Sequence, residues 1–585
     1  MPFSATLLGA LLAAPVLVAQ GASILPLQEV RVGMKGQGRT VFKGGKIERF
    51  DFEVLGVSRN MMGPGRGLIL IKASGGPLAE SGIAKGMSGS PCYIDGKLVG
   101  ALSIGFPFEK EPIGGITPIQ DMLEQLKEIP DTPALKTPLI IPKLDPPKVL
   151  KSALLGRMIP FNELAGIQGG EEASTALLPV SGSEFLPEAR AFFQGMPFAW
   201  SASSAAGGSQ GGEASPVEPG GMATAMLIQG DLELGASGTI TTQDQNRVTL
   251  FGHPLANQGA VDLPLWSATV ATVVPGYNES FKLALPVAPI GALRLDRSSG
   301  VAGVLGATAR TVPLRLGVNL GGKRTLNFRF DLIDHPTITP AFAAGVLVQT
   351  LSTHVRGLGL QSLSLQGNIK VANHPALQIE NVIADISAQR LGQYVGAFLQ
   401  GLMLNPFERP QIEGISLNVK AEERLDFTFV AGVRTLKARV KRGEVLPVVV
   451  TLQNMQGVRE FATFNVGIAA SAQPGKATLL VGDGLSLIAA DPDERAIEVS
   501  SLGDVVRLLN GALKNNHAYA LLVQSQAGAG LRGARIEGVP PTVTNLLLGD
   551  GDTSANRIQR RIVGRSVLPL EREVRGLVQL ELEIE

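Results

Sequence analysis

The sequence predicts a mostly β protein with a β-sandwich-type accessory region at its C-terminal end. Three observations lead there. Apolar and polar residues alternate with period two in many short runs, as in Phe50, Phe52 and Val54 against Asp51 and Glu53. Glycine (71) and proline (38) are abundant while aromatic residues make up only 5%, so tight turns punctuate the chain throughout. An Asp95-Gly96 pair between two apolar runs is the strongest short-range hairpin signal. At 585 residues the chain is long enough for several cores, roughly three to five at the usual ~100–200 residues per domain.

The elements come in chain order. Ala5 to Val18 is apolar but too short to span a bilayer, and Ala19-Gln20-Gly21 offers small residues for cleavage. Residues 1–22 are therefore expected to be a cleaved export signal, although no Lys or Arg precedes the apolar run, and an uncleaved N-terminal anchor is the competing reading. No later stretch reaches the ~18 uninterrupted apolar residues of a membrane helix, so no membrane span is expected after signal removal. The glycine cluster from Gly33 to Gly38 lacks the Gly-Lys-Ser/Thr of a phosphate loop and reads as a β-turn cluster. Ile47–Val57 reads as a half-buried strand and Leu68–Ile71 as a buried one. Gly86-Met87-Ser88-Gly89-Ser90-Pro91 then forms a tight turn, and Cys92 to Gly105 reads as strand, Asp-Gly turn and strand. Thr117-Pro118-Ile119-Gln120 reads as a capping box opening a short helix.

Residues 130–150 read as an extended Pro-rich spacer, and Ser201–Gly221 as a flexible linker. Strands return from Met222, with His253 at the end of one. Ala341–Leu351 reads as a helix packed on them, alternation resumes from Ile415, and Ser501-Leu502-Gly503-Asp504 caps a helix near the C-terminus. The expected units are 23–130, a linker region over 131–221, 222–400, a β-sandwich over 401–490 and an α+β segment over 491–585.

Charge and composition exclude several function classes. Lys+Arg (52) nearly equals Asp+Glu (51), with no basic stripe, so nucleic acid is not an expected partner. One cysteine, Cys92, excludes an intramolecular disulfide and thiolate metal clusters, and no His-Glu-x-x-His is present. No metal and no cofactor are expected. Peptide hydrolysis by serine needs a base at the hydroxyl, donors for the oxyanion and a way to hold the substrate. The Gly86–Pro91 turn presents Ser88 as the nucleophile candidate, with the Gly86 and Ser88 N–H groups as candidate oxyanion donors. Ser103-Ile104-Gly105 is the candidate edge for pairing with an extended substrate. Of five histidines, His253 is the base candidate, because it ends a strand after a glycine and precedes polar turn residues. A turn that merely opens a hairpin, and a surface histidine, are the plainer readings of the same residues.

Gly86-Met87-Ser88-Gly89-Ser90-Pro91 followed by Asp95-Gly96-Lys97-Leu98-Val99-Gly100-Ala101 resembles the nucleophile segment of the SpoIVB-type serine peptidases. Gly238–Thr241 through Leu250-Phe251-Gly252-His253 resembles their segment carrying the catalytic histidine. Pro289–Leu293 with Gly300–Val304 resembles the family segment next along the chain. Together these matches cover roughly residues 30–124 and 236–306. The resemblance implies a chymotrypsin-like double β-barrel peptidase core in permuted order, because the histidine segment precedes the serine in the family's sporulation enzyme and comes after it here. The family's PDZ module is not visible. Ile71-Lys72-Ala73-Ser74, where the family's acidic residue would lie, has no carboxylate. Asp262 is the candidate third member, and a Ser/His dyad is the alternative. By the same analogy a charged specificity pocket carries an acid about six residues before the nucleophile. That position is Gly82, so an uncharged pocket for apolar or small side chains is expected. The function implied is an exported serine endopeptidase acting on protein or peptide substrates, located in the bacterial periplasm, cell envelope or outside the cell. The alternative is a catalytically inactive, β-rich envelope protein that binds protein or polymer partners.

Overall fold

The computed structural model describes residues 23–126, 129–130, 145–164, 178–196, 198–204, 213–321, 324–355, 358–490, 499–531, 534–537, 540–548 and 555–585. The expected export signal lies outside these residues, as do 131–144, 165–177, 197 and 205–212 of the expected linker region; the rest of that region is not an extended spacer but includes the helix Pro146–Leu154 and the strand Leu178–Gly182, which pairs with Leu234 and Gly235.

The first unit is a closed barrel. Strands β1 (Lys35–Val41), β2 (Ile47–Ser58), β3 (Leu68–Ser74), β4 (Pro91–Ile94), β5 (Lys97–Gly105) and β6 (Ile113–Pro118) run β1-β2-β3-β6-β5-β4, and β4 returns to β1. The alternation in β2 sets the barrel's inside: Phe50, Phe52 and Val54 are buried while Asp51 and Glu53 are exposed. They pack against Ile69, Ile71, Met87, Cys92 and Ile116. The glycine cluster forms β1, where Gly38 pairs with Phe50 on one side and Cys92 on the other, and so closes the ring. Asp95 (φ 48°) and Gly96 (φ 76°) are both left-handed, the backbone of the two-residue hairpin turn their sequence predicts.

The helix α1 (Ile119–Leu126) comes directly after β6, but the capping-box expectation is corrected. Pro118 is the last residue of β6, and the Thr117 hydroxyl bonds the Gly252 carbonyl instead of the helix terminus.

A second closed ring lies further along the chain. It consists of β7 (Met222–Gly230), β8 (Leu234–Asp244), β9 (Arg247–Leu250), β10 (Gly259–Val274), β11 (Phe281–Arg297) and β12 (Gly300–Leu305). Their order is β7-β10-β11-β12-β9-β8, and pairing of β8 with β7 closes it. The ring belongs to a thirteen-stranded sheet. β13 (Thr311–Asn319), β14 (Thr325–Ile333), β15 (Gln361–Val371), β16 (Leu377–Asp385) and β17 (Ile412–Glu422) extend it through the β14–β7 pairing. Helix α2 (Thr339–His354) is apolar on almost every side and buried along most of its length, as the Ala341–Leu351 stretch predicts. With α3 (Gln389–Met403) it packs into the same core as the second ring.

Residues Phe427–Ile584 form a ten-stranded sheet with its own core. The two C-terminal units expected from sequence are not separate in it. Gly475–Gly482 pairs with Leu577–Ile584, and Phe427–Phe429 with Glu573–Arg575, so strands from both sides of residue 490 share one sheet. Ile412–Glu422, expected in the sandwich, pairs instead with β13 and β15. Ser501 caps the helix Leu502–Asn510 by accepting the Asp504 N–H at 3.1 Å, as its sequence predicts.

Candidate active site

The Gly86–Pro91 turn sits between β3 and β4 with Ser88 half-buried on it. Gly86 (φ 91°) and Gly89 (φ 94°) are both left-handed. At Gly89 even a methyl group would overlap the Thr239 carbonyl oxygen and come within 2.6 Å of the Phe251 nitrogen, so only glycine fits. The turn's backbone donors divide in an informative way. Lys85 N–H donates to Ser280 O (2.8 Å), Met87 N–H to Ala84 O (3.0 Å), Gly89 N–H to Leu102 O (2.7 Å) and Ser90 N–H to Met87 O (3.0 Å). Among the described residues the N–H groups of Gly86 and Ser88, two positions apart and flanking Met87, make no hydrogen bond. Buried or half-buried donors left without a partner are uncommon, and here they stand beside a serine hydroxyl.

The second ring grips the turn from below. Thr239 N–H donates to Ser88 O (2.8 Å), the Thr239 hydroxyl to Gly86 O (3.1 Å) and the Thr241 hydroxyl to Gly89 O (2.7 Å). The side chain of Lys282, from β11, lies against Gly86, and its ammonium donates to the Thr40 hydroxyl at 2.6 Å. Lys282 is buried, and burial brings its pKa down to about 7, with Glu48 pulling it back up.

His253 lies just past β9 and shares with Ser88 the lining of one large cleft, of about 2090 Å³. It is the one histidine in that lining. Its Nδ1 lies 2.8 Å from the carbonyl oxygen of Pro254. A carbonyl only accepts, so Nδ1 carries the proton and Nε2 keeps its lone pair. Burial lowers the imidazole pKa, partly offset by the Pro254 carbonyl, and so favours the neutral ring. Two side chains hold this loop, Thr117, which the sequence marks only as a helix cap, and Asp296, which no motif marks. The Thr117 hydroxyl donates to Gly252 O at 2.7 Å and lies 2.8 Å from the Ser103 hydroxyl. The buried Asp296 carboxylate accepts the N–H groups of Leu255 (2.8 Å), Ala256 (2.7 Å) and Gln258 (3.2 Å). Asp296 ends a strand 43 residues after His253, and no local pattern links the two.

Ser103, Ile104 and Gly105 also line the cleft. Ile104 and Gly105 pair with β6, while β4 reaches only to Ala101, so on that other side no strand pairs with this stretch among the described residues. Asp262 is placed differently from the expectation. Its Oδ1 is ion-paired with the Arg294 guanidinium and its Oδ2 accepts the Arg310 N–H at 3.0 Å. No hydrogen bond joins it to His253, because a desolvated guanidinium on the neighbouring strand satisfies the carboxylate first. The uncharged wall expected at Gly82 is also corrected: the Glu109 carboxylate, from the β5–β6 loop, lies directly against Gly82. Cys92 is buried in the first barrel and burial pushes its thiol pKa up, which suits an inert packing residue.

Residues 16–123 match the sequence profile of the SpoIVB peptidase S55 family. No curated protein and no solved structure matches the chain. The matched residues run through all six strands of the first barrel and include the turn that carries Ser88. The N-terminal barrel is thus similar to the SpoIVB peptidase S55 family, a family of serine peptidases, while the rest of this mostly β chain lies outside the match.

Proposed function

We propose that the protein is an exported serine endopeptidase that works through a Ser88–His253 dyad. The observation that carries this reading is the pair of unused N–H groups, Gly86 and Ser88, beside a serine hydroxyl in a cleft that His253 also lines. His253 Nε2 takes the Ser88 proton as Oγ attacks the scissile carbonyl, and the two N–H groups receive the oxyanion. The imidazolium then protonates the leaving amine, and water releases the acyl group by the reverse sequence. The Pro254 carbonyl plays the orienting part that a carboxylate plays in a triad, by holding the proton on Nδ1. The Ser103–Gly105 edge takes the extended substrate as an added strand. In this reading the serine-bearing barrel precedes the histidine-bearing ring along the chain, a permutation that geometry tolerates because triads are defined by roles and not by order.

A fluorophosphonate probe tests it. Wild-type protein is expected to label at Ser88. Ser88→Ala should abolish labelling and lower peptide hydrolysis by at least ~10³-fold, and His253→Ala should slow both to a similar extent. Undiminished labelling of Ser88→Ala, or no labelling of the wild type, overturns the assignment.

A further inference from the structure

The cleft wall next to the nucleophile turn is built in an unusual way. Gly105 on β5 and Gly114 on β6 are direct cross-strand partners. Two facing glycines leave a depression in a sheet where two side chains would stand. Ile83 occupies it. A methyl group on Gly105 would come within 3.2 Å of Ile83 Cβ and Cγ2, and one on Gly114 within 3.3 Å of Ile83 Cγ1. Glu109 lies against the backbone of Gly82 and Ile83. Its Oε1 accepts the Ile83 N–H, and its Oε2 is buried with no hydrogen-bond partner among the described residues. Burial raises the Glu109 pKa against the pull of the Ile83, Phe106 and Ile113 N–H groups. The nearby cations are occupied by other acids: Lys72 by Glu111, Lys85 by Glu279 and Arg66 by Asp121. Lys110, next in sequence, is exposed. Gly82, Ile83, Gly105, Glu109 and Ser88 all line the one cleft.

Resting on the peptidase reading, we propose that Ile83 is a specificity lock. It fills the Gly105–Gly114 depression and restricts the substrate residue before the scissile bond to a small side chain, Gly, Ala or Ser, with the Glu109 carboxylate held at its backbone. The pocket is small because Ile83 fills it, and an acid is present that a longer basic side chain could reach once Ile83 is gone. The discrimination expected from a filled apolar pocket is ~10- to 200-fold per methylene-sized difference.

The test is a panel of peptides that differ only in the residue before the scissile bond, with Gly, Ala, Ser, Met, Phe, Lys and Arg. Wild-type enzyme is expected to favour the first three by at least ~10-fold in kcat/KM. Ile83→Gly should raise kcat/KM for Met, Lys and Arg by at least ~10-fold, with Lys and Arg gaining most. Adding Glu109→Gln should remove the extra gain on Lys and Arg and keep that on Met. Ile83→Ala and Ile83→Val serve as graded variants if the glycine variant fails to fold. Fluorophosphonate labelling, which presents no such side chain, is run on every variant. Intact labelling with a side-chain ranking unchanged by all three Ile83 variants overturns the lock and leaves the peptidase reading standing. Loss of labelling in the wild type removes the reading itself. Preference of the wild type for Lys, Arg or Phe also overturns the lock.

Discussion

Lys282 shows how one side chain can tie stability to pH at this site. It is buried beside Gly86 with a hydroxyl, not a carboxylate, as its hydrogen-bond partner. Its folded pKa of about 7 lies below the ordinary 10.5, so the folded state disfavours the charged form. Its stability contribution is therefore fully present above pH 10.5, declines as pH falls toward 7, and changes no further below that. Lys282→Met is expected to unfold at a higher temperature than wild type at pH 7 and to flatten the stability profile between pH 7 and 10.5. Thermal unfolding across that range checks it, and a variant with the wild-type slope rejects it. His253 is displaced in the same direction, so in the proposed dyad it should still accept a proton at pH values where an ordinary histidine is already protonated. The Gly-rich turn that carries Ser88 and the histidine that follows a strand are both readable in the sequence, because tight turns and strand ends leave a local pattern. Asp296, Thr117 and Glu109 are not, since each acts on a loop distant in sequence through a contact that leaves no spacing pattern.

The Gly86–Pro91 turn is the element on which the site depends, and its backbone is fixed by packing from the second ring. Gly89→Ala places a methyl group into the Thr239 carbonyl and the Phe251 amide at a left-handed φ. The expected cost is above ~3 kcal/mol, from a backbone overlap combined with αL strain. Denaturant unfolding reads it, and a loss below ~1 kcal/mol would show that the turn relaxes more freely than its contacts indicate. Elements with a strong local code are legible: the Asp95-Gly96 hairpin, the alternation of β2, and the apolar α2. The Thr117 capping box fails because a threonine hydroxyl also serves any nearby carbonyl. Here Gly252 O competes successfully with the helix terminus.

At the scale of the molecule the proposed site draws on two barrels. Ser88 comes from one and His253 from the loop after β9 of the other, and the Thr117–Gly252 bond is the contact between them that reaches the His253 loop. Thr117→Val keeps the shape and removes that donor, leaving Gly252 O without its partner. It should cost about 1–3 kcal/mol of stability and lower kcat by ~10- to 100-fold through misplacement of His253. Wild-type kcat in this variant would mean that the barrels are aligned by other contacts. The sequence by itself determined the β class, the glycine turn with its serine, the histidine at a strand end and the core helix, because each arises from short-range pattern and backbone sterics. Tertiary structure alone decided which carboxylates meet which loops, that Asp262 serves Arg294, that Glu109 backs Gly82, and that the C-terminal strands interleave into one sheet. Those outcomes depend on which groups reach each other once water is excluded, and long-range contacts of that kind leave no periodicity in the chain.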